Sequence, residues 1–430
     1  MKTTLSNQFI FTVFVLFVGM KVFGNENQAQ DKAVIHKITY EMLSTTVKEK
    51  NESIEAMQIR SRVQNEQKGF LGRSFFPEVG IVAGQEQLKL SVQSHEPQNF
   101  WQINAKVNIY NGGRDAIENQ IRKVNASFAD LYLIKTIQSS VREARLCFWK
   151  IVGIDALIAI RKDALQRNIQ NSASAKRRAG VGLTTSADVV MFNMNRIGIE
   201  RELSFLEMQR QITFLRLGSL MGLESDRAFE IDSRFPDLND SMSSIKKIEP
   251  EKRWAQTIEK MNSQMEQLES LRLSQWWYPQ IDAYSSLGLP SLQQEYDRAI
   301  TKESQWVAGI RLNFSFGNTL EERLQAKSKK DNALATSKAV SQAVREIAAS
   351  QKGVQKEIEQ IAPLIQLVDQ DIQVAQKFLQ QTESEYNRGV KNGPDLLNAT
   401  QKYFEFRDRK IQYQETYFAK KAEFESFDFE

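Results

Sequence analysis

The chain has 430 residues, and its 57 basic side chains nearly cancel its 53 acidic ones, leaving a net charge of +4. The two signs interleave along the sequence, which argues against a nucleic-acid-binding surface. With only 20 glycines and 8 prolines, the composition disfavours an all-β or mixed globular enzyme. Cys147 is the single cysteine, so an internal disulfide or a cysteine metal cluster is excluded and the residue reads as a small buried hydrophobe.

Met1-Lys2 leads into an apolar run from Phe9 to Gly19, followed by Val22, Phe23, Gly24 and the polar Asn25-Glu26-Asn27. This pattern predicts a secretory signal peptide over 1–24. The alternative, a retained anchor, is disfavoured because the run falls short of the roughly 18 apolar residues of a spanning helix. A first helix of mixed polarity is predicted from about Lys32 to Gln67, broken by Gly69 and Gly72. Phe75, Pro77, Val79, Ile81 and Ala83 then occupy alternate positions, the period of a strand. After a polar loop with His95 and Pro97, Trp101, Ile103, Ala105, Val107 and Ile109 alternate with Gln102, Asn104, Lys106 and Asn108. Asn111-Gly112-Gly113 closes this second strand.

No proline falls between Pro97 and Pro236. Ile117, Ile121, Val124, Phe128, Leu131, Ile134, Ile137, Val141, Ala144, Phe148, Ile151, Ile154 and Ile158 follow one another at steps of three or four, the helical period. The stretch up to Gly180 therefore reads as one rod, roughly 100 Å long at about 1.5 Å per residue. Such a rod buries its stripe only beside other long helices, in a coiled coil or helical barrel. A turn at Gly180-Val-Gly182, with Thr184, Thr185 and Ser186 as capping side chains, leads into a helix ending near Leu220. The composition of 223–250 is that of a connector.

Everything then recurs: a helix from about Glu251 to Leu273, a strand with Trp277, Pro279, Ile281 and Ala283 on one face, and a Gly/Pro loop from Gly288 to Pro290. A further strand has Trp306, Ala308, Ile310, Leu312, Phe314 and Phe316 on one face. A second rod, Thr319 to Arg388, carries Pro363 as a bend, and a turn at Gly389 to Pro394 opens a last helix to about Phe424. Trp101 and Trp306, like Gly112 and Gly317, lie 205 residues apart. Residues 25–222 and 251–430 are therefore one unit written twice.

The strands have the length and alternation of transmembrane β, with Ile103, Val107, Ile310, Leu312 and Phe314 on the lipid face. A small soluble antiparallel sheet packed on the helices fits the alternation as well. The signal peptide, and aromatics gathered at strand ends (Phe75, Phe76, Phe100, Trp101, Trp276, Trp277, Trp306), favour the membrane reading. Catalytic chemistry finds no support. His36 and His95 are isolated, Asp369 and Asp371 do not share a helix face, and no catalytic residue, metal site or cofactor is indicated.

The strand ends Ile109-Tyr-Asn-Gly-Gly113 and Phe314-Ser-Phe-Gly317, together with the turns Gly182-Leu-Thr-Thr-Ser-Ala-Asp188 and Gly389-Val-Lys-Asn-Gly-Pro-Asp395, resemble those of TolC-like outer-membrane efflux proteins. The resemblance covers essentially the whole chain after the leader. It implies a mainly α fold with transmembrane β: a long α-helical coiled-coil barrel, plus four β-strands per protomer completing a 12-stranded barrel in a homotrimer. It also implies an outer-membrane location with the helical portion in the periplasm. The partners implied are a periplasmic adaptor (membrane fusion) protein and an inner-membrane pump of RND, ABC or MFS type, exporting small molecules or, by type I secretion, polypeptides. By the same resemblance, Asp395 forms an acidic ring at the periplasmic entrance, and Tyr386 and Lys391 link toward Ala187 and Asp188 of a facing hairpin. Asn398 stands where a second Asp is usual, which implies weaker cation binding, and Lys391 replaces a bidentate Arg. The tips at Gly182, Leu183, Gly389 and Val390 would dock the adaptor. Thr185-x-x-Asp188 and Asn392-x-x-Asp395 also read as plain helix-capping boxes, with Pro394 at an early helical position. Outside the family the alternative is a periplasmic coiled-coil scaffold or surface adhesin.

Overall fold

A computed structural model describes residues 38–68, 75–87, 97–182, 184–223, 229–232, 234–236, 254–275, 277–289, 304–314 and 319–427. The predicted leader, His36, His95, Leu183, Trp276, Gly317 and much of the connector lie outside them. The elements run α1 (Tyr40–Lys50), α2 (Glu52–Gln67), β1 (Glu78–Glu86), β2 (Gln98–Asn111), α3 (Arg114–Gly180) and α4 (Ser186–Leu220). They continue with α5 (Trp254–Ser274), β3 (Gln280–Leu289), β4 (Gln305–Asn313), α6 (Thr319–Asn387) and α7 (Gly393–Glu425). The described residues are thus mainly helical with one four-stranded sheet, and the order helix, two strands, long helix, shorter helix occurs twice.

The two rods, 67 and 69 residues long, each fold back on the helix after them, α3 on α4 and α6 on α7, while α7 also packs on α3 and α5 on α6. Gly182 takes a positive φ of 76° and its N–H donates to Ala179 O at 3.1 Å, turning the chain where a side chain would be strained. Helix α6 continues through Pro363, with Ile358, Ala362 and Ile365 around it buried.

The largest core lies midway along the bundle. Trp149 of α3 is 3 % exposed, stacks on Phe418 of α7 at 4.5 Å and on Phe235 at 5.9 Å, and meets Tyr40 of α1 in a tilted contact at 5.0 Å. Phe235 belongs to the connector, as do Phe229, which stacks on Phe214 at 3.9 Å, and Ile231, which bridges Ile38. So Phe229, Ile231 and Phe235 pack into the core despite the loop-like composition around them. Nearby, the Tyr40 hydroxyl donates to Glu425 at 2.9 Å, and Arg145 reaches the same carboxylate at 2.8 Å. Burial, together with the Glu425 charge, pushes the Tyr40 hydroxyl far above its usual range.

The single helix expected over Lys32–Gln67 is instead two, broken at Asn51. Its backbone there is extended (φ −79°, ψ 116°), and its Oδ1 accepts the N–H groups of Ser53 and Ile54 at 3.0 and 3.3 Å. Its Nδ2 donates to Leu220 O at 2.8 Å, fastening the break to the end of α4. Asn51→Ala removes both a helix cap and a tertiary hydrogen bond, so it is expected to cost about 2 kcal/mol. The effect is read as a lowered midpoint for thermal loss of helical circular dichroism in detergent.

Candidate functional site: the sheet faces and the hairpin tips

The sheet is antiparallel throughout, in the order β1-β2-β3-β4. Register places the side chains of each row on a common face. Ile81, Ile103, Leu287 and Trp306 form one row across all four strands. Val79, Ala105, Ser285 and Ala308 form the next, then Val107, Ala283 and Ile310, then Tyr110, Ile281 and Leu312. A bulge between Asn108 and Tyr110 brings Tyr110 onto this face. The face is apolar yet open, and Ile310 is 73 % exposed. Of the five residues that alternation assigned to lipid, Ile103, Val107, Ile310 and Leu312 share this face, and Phe314 lies beyond the end of β4.

The reverse face is polar. Lys106 lies 3.3 Å from the buried carboxylate of Asp282, Gln102 Nε2 donates to Ser286 Oγ at 2.5 Å, and the Arg311 guanidinium sits 4.7 Å from the Tyr284 ring centre. Asn108 donates to Asp115 at the start of α3 at 3.0 Å, tying the sheet to the rod. Exposed aromatics mark both ends, Trp101 and Trp306 by the hairpin loops and Phe75, Phe76 and Trp277 on the helix side. The ten residues of β3 extend about 33 Å, which at a tilt near 40° gives about 25 Å, the height of an outer-membrane apolar band.

Two of the sequence-based expectations shift here. Strand β1 begins only at Glu78, so Phe75 and Pro77 precede it. Gly288, read as loop, is paired with both Gln102 and Gln305 inside the sheet. Its φ of 148° and the closeness of the Trp101 carbonyl leave no room for a Cβ, which is why a glycine stands there.

At the far end of the bundle the two hairpin tips touch. A Cβ on Gly393 would lie 2.7 Å from Asp188 Cγ, so the bare glycine is the seat on which the Asp188 carboxylate rests. Asp188 also accepts the Thr184 hydroxyl. Held this way it does not close the capping box expected at α4, and Thr185 caps without a side-chain bond. The box at α7 does form: Asp395 N–H donates to Asn392 Oδ1 at 3.0 Å, and Asn392 N–H to Asp395 Oδ2 at 3.4 Å. Pro394 occupies the first turn.

Of the residues assigned to the entrance, Lys391 and Asn398 are exposed, while Asp188 and Asp395 are half-buried. Tyr386 is 1 % exposed and packs with Ala175, Phe192, Leu379, Leu396 and Ala399. The Arg178 guanidinium lies 4.3 Å from its ring centre. Burial raises the Tyr386 hydroxyl pKa, Arg178 opposes this and Asp188 adds to it. Within the protomer, then, Tyr386 is a joint between hairpins, and Arg178 and Gly393 are partners that sequence reasoning missed. A glycine directly before Pro394-Asp395 was the available signal for Gly393. No comparable signal marked Arg178. Farther up, Arg161 of α3 binds Asp408 of α7 at 2.6 Å and Glu202 of α4 at 2.7 Å, cross-linking both hairpins.

The chain thus pairs two long helical hairpins with a four-stranded sheet that has one apolar, open face. Residues 266–423 match the family model described as outer membrane efflux protein. The fold matches CusC, described for transmembrane channel formation, with a TM-score of 0.76 at 10 % identity over 90 % of this chain and 92 % of that one. It matches the outer membrane protein VceC of Vibrio cholerae (TM-score 0.73, 14 % identity, 91 % and 97 % covered) and the open-state MtrE outer membrane channel of Neisseria gonorrhoeae (0.70, 11 %, 90 % and 88 %). No curated protein matches the chain in sequence. The second half of the chain thus resembles outer membrane efflux proteins in sequence, and the fold is that of the outer-membrane channels it matches.

Proposed function

We infer that this protein is the outer-membrane channel of an efflux system, a passive conduit that opens through the sheet and continues along the helical rods into the periplasm. The observation that carries this reading is the sheet: one face is apolar and open across all four strands, and its outer edges, on β1 and β4, have no partner strand among the described residues. In lipid every backbone donor and acceptor must be paired, so an open sheet is untenable and only a closed barrel spans. Four antiparallel strands bring β4 of one copy to β1 of the next in the antiparallel sense, and three copies close the 12-stranded barrel. The bundle supports the same assembly. Val190, Met194, Ile197, Phe205, Met208, Ile212 and Leu215 of α4 are exposed at steps of three, four and eight, a seam that seeks a neighbouring helix.

Residues 1–24 are the export signal, and 25–222 and 251–430 are the two repeats, joined by 223–250. Asp395, Asn398, Lys391, Tyr386 and Asp188 form the periplasmic entrance, and Gly182, Leu183, Gly389 and Val390 the tips that meet a periplasmic adaptor. An inner-membrane pump supplies the energy for export of small molecules or polypeptides. Purified protein added to planar bilayers is expected to give discrete conductance steps, and its failure to conduct would remove the channel assignment. Asp395→Ala is expected to alter single-channel conductance or its block by divalent cations, at a helix-capping cost of only about 1 kcal/mol. Unchanged currents would take Asp395 out of the entrance and leave the fold intact.

A further inference from the structure

The two tips form one surface, since Asp188 rests on Gly393 and Arg178 Nη2 lies 3.6 Å from where a Cβ on Gly389 would stand. Two valines project from that surface, Val181 and Val390, each 70 % exposed. Around them stand Lys176, Arg177, Arg388 and Lys391, all exposed and none in an ion pair among the described residues. The carboxylates nearby are engaged internally, Asp188 with Thr184, Asp395 with Asn392 and Glu385 with Gln381. The tip is therefore a pair of apolar points inside a collar of unneutralised cations.

We propose that this collar selects the docking partner: the adaptor end that meets it presents an apolar socket for Val181 and Val390 rimmed by carboxylates. The proposal rests on the reading of the tips as the adaptor-docking end and adds the partner's chemistry. A rim of opposite charge speeds encounter and fixes register, while burial of the valines holds the complex. Lipid of the bilayer that holds the sheet is out of reach, because the 67 residues of α3 set the tip about 100 Å away.

The test uses the full-length protein in detergent, immobilised, and two disulfide-closed helical-hairpin peptides with the same apolar loop, flanked by Glu in one and by Lys in the other. The Glu peptide is expected to bind about tenfold more tightly than the Lys peptide at about 50 mM salt, with the gap closing at about 500 mM. Lys176→Glu, Arg177→Glu and Arg388→Glu together are expected to reverse the order, with trimer mass and conductance serving as the check on folding. Val181→Asp with Val390→Asp is expected to abolish binding of both peptides. Equal, valine-dependent binding of the two peptides would overturn the charge proposal and leave docking standing. No binding, or binding indifferent to the valines, would overturn both. Phosphatidylglycerol vesicles bound with the same collar dependence would assign the collar to lipid and end the proposal.

Discussion

Trp149→Ala is expected to destabilise the helical bundle by about 3–5 kcal/mol, the usual cost of deleting a large buried aromatic. The indole is 3 % exposed and holds α1, α7 and the connector on α3 by packing against Tyr40, Phe418 and Phe235. Its loss opens a cavity that rods fixed at both ends cannot collapse to fill. The control is Trp306→Ala: that side chain is 70 % exposed on the sheet, and its loss leaves the thermal unfolding of the helices unchanged. Equal shifts for the two variants would show that the core is misplaced.

Ile310→Arg is expected to keep the protein out of the outer-membrane fraction. An arginine facing lipid near mid-depth costs about 2–4 kcal/mol per copy, and a closed barrel repeats that cost in every protomer. Val307→Arg, on the reverse face of the same strand opposite Ser286, meets the polar bore and is expected to assemble at wild-type amounts. If both variants assembled, or neither did, the assignment of faces would fail.

Much of this was legible in the sequence because two periods carry it. Alternation from Trp101 to Val107 and from Trp306 to Leu312 matches the strand faces, since a strand apolar on one side cannot slip by one residue, whereas the bulge after Asn108 puts Tyr110 where alternation had Ile109. Steps of three and four from Ile117 to Ile158 identified the first rod. What stayed hidden depends on contacts between segments remote in sequence. Asn51 breaks α1 from α2 with neither Gly nor Pro: its side chain caps α2 and also reaches the remote Leu220 carbonyl. Phe229, Ile231 and Phe235 sit among residues of loop composition, and their burial depends on Phe214, Ile38 and Trp149 waiting across the bundle. At the tips the spacing Thr185-x-x-Asp188 was right for a box, but the Gly393 seat and the Thr184 hydroxyl held the carboxylate instead.

A closed barrel requires the edges of strands β1 and β4 to find each other in neighbouring copies. The direct measurement is the protein mass of the purified particle in detergent, by light scattering corrected for bound detergent. Three chains per particle are expected. A particle containing one chain, with both edges of its sheet left open, would contradict the barrel and with it the channel.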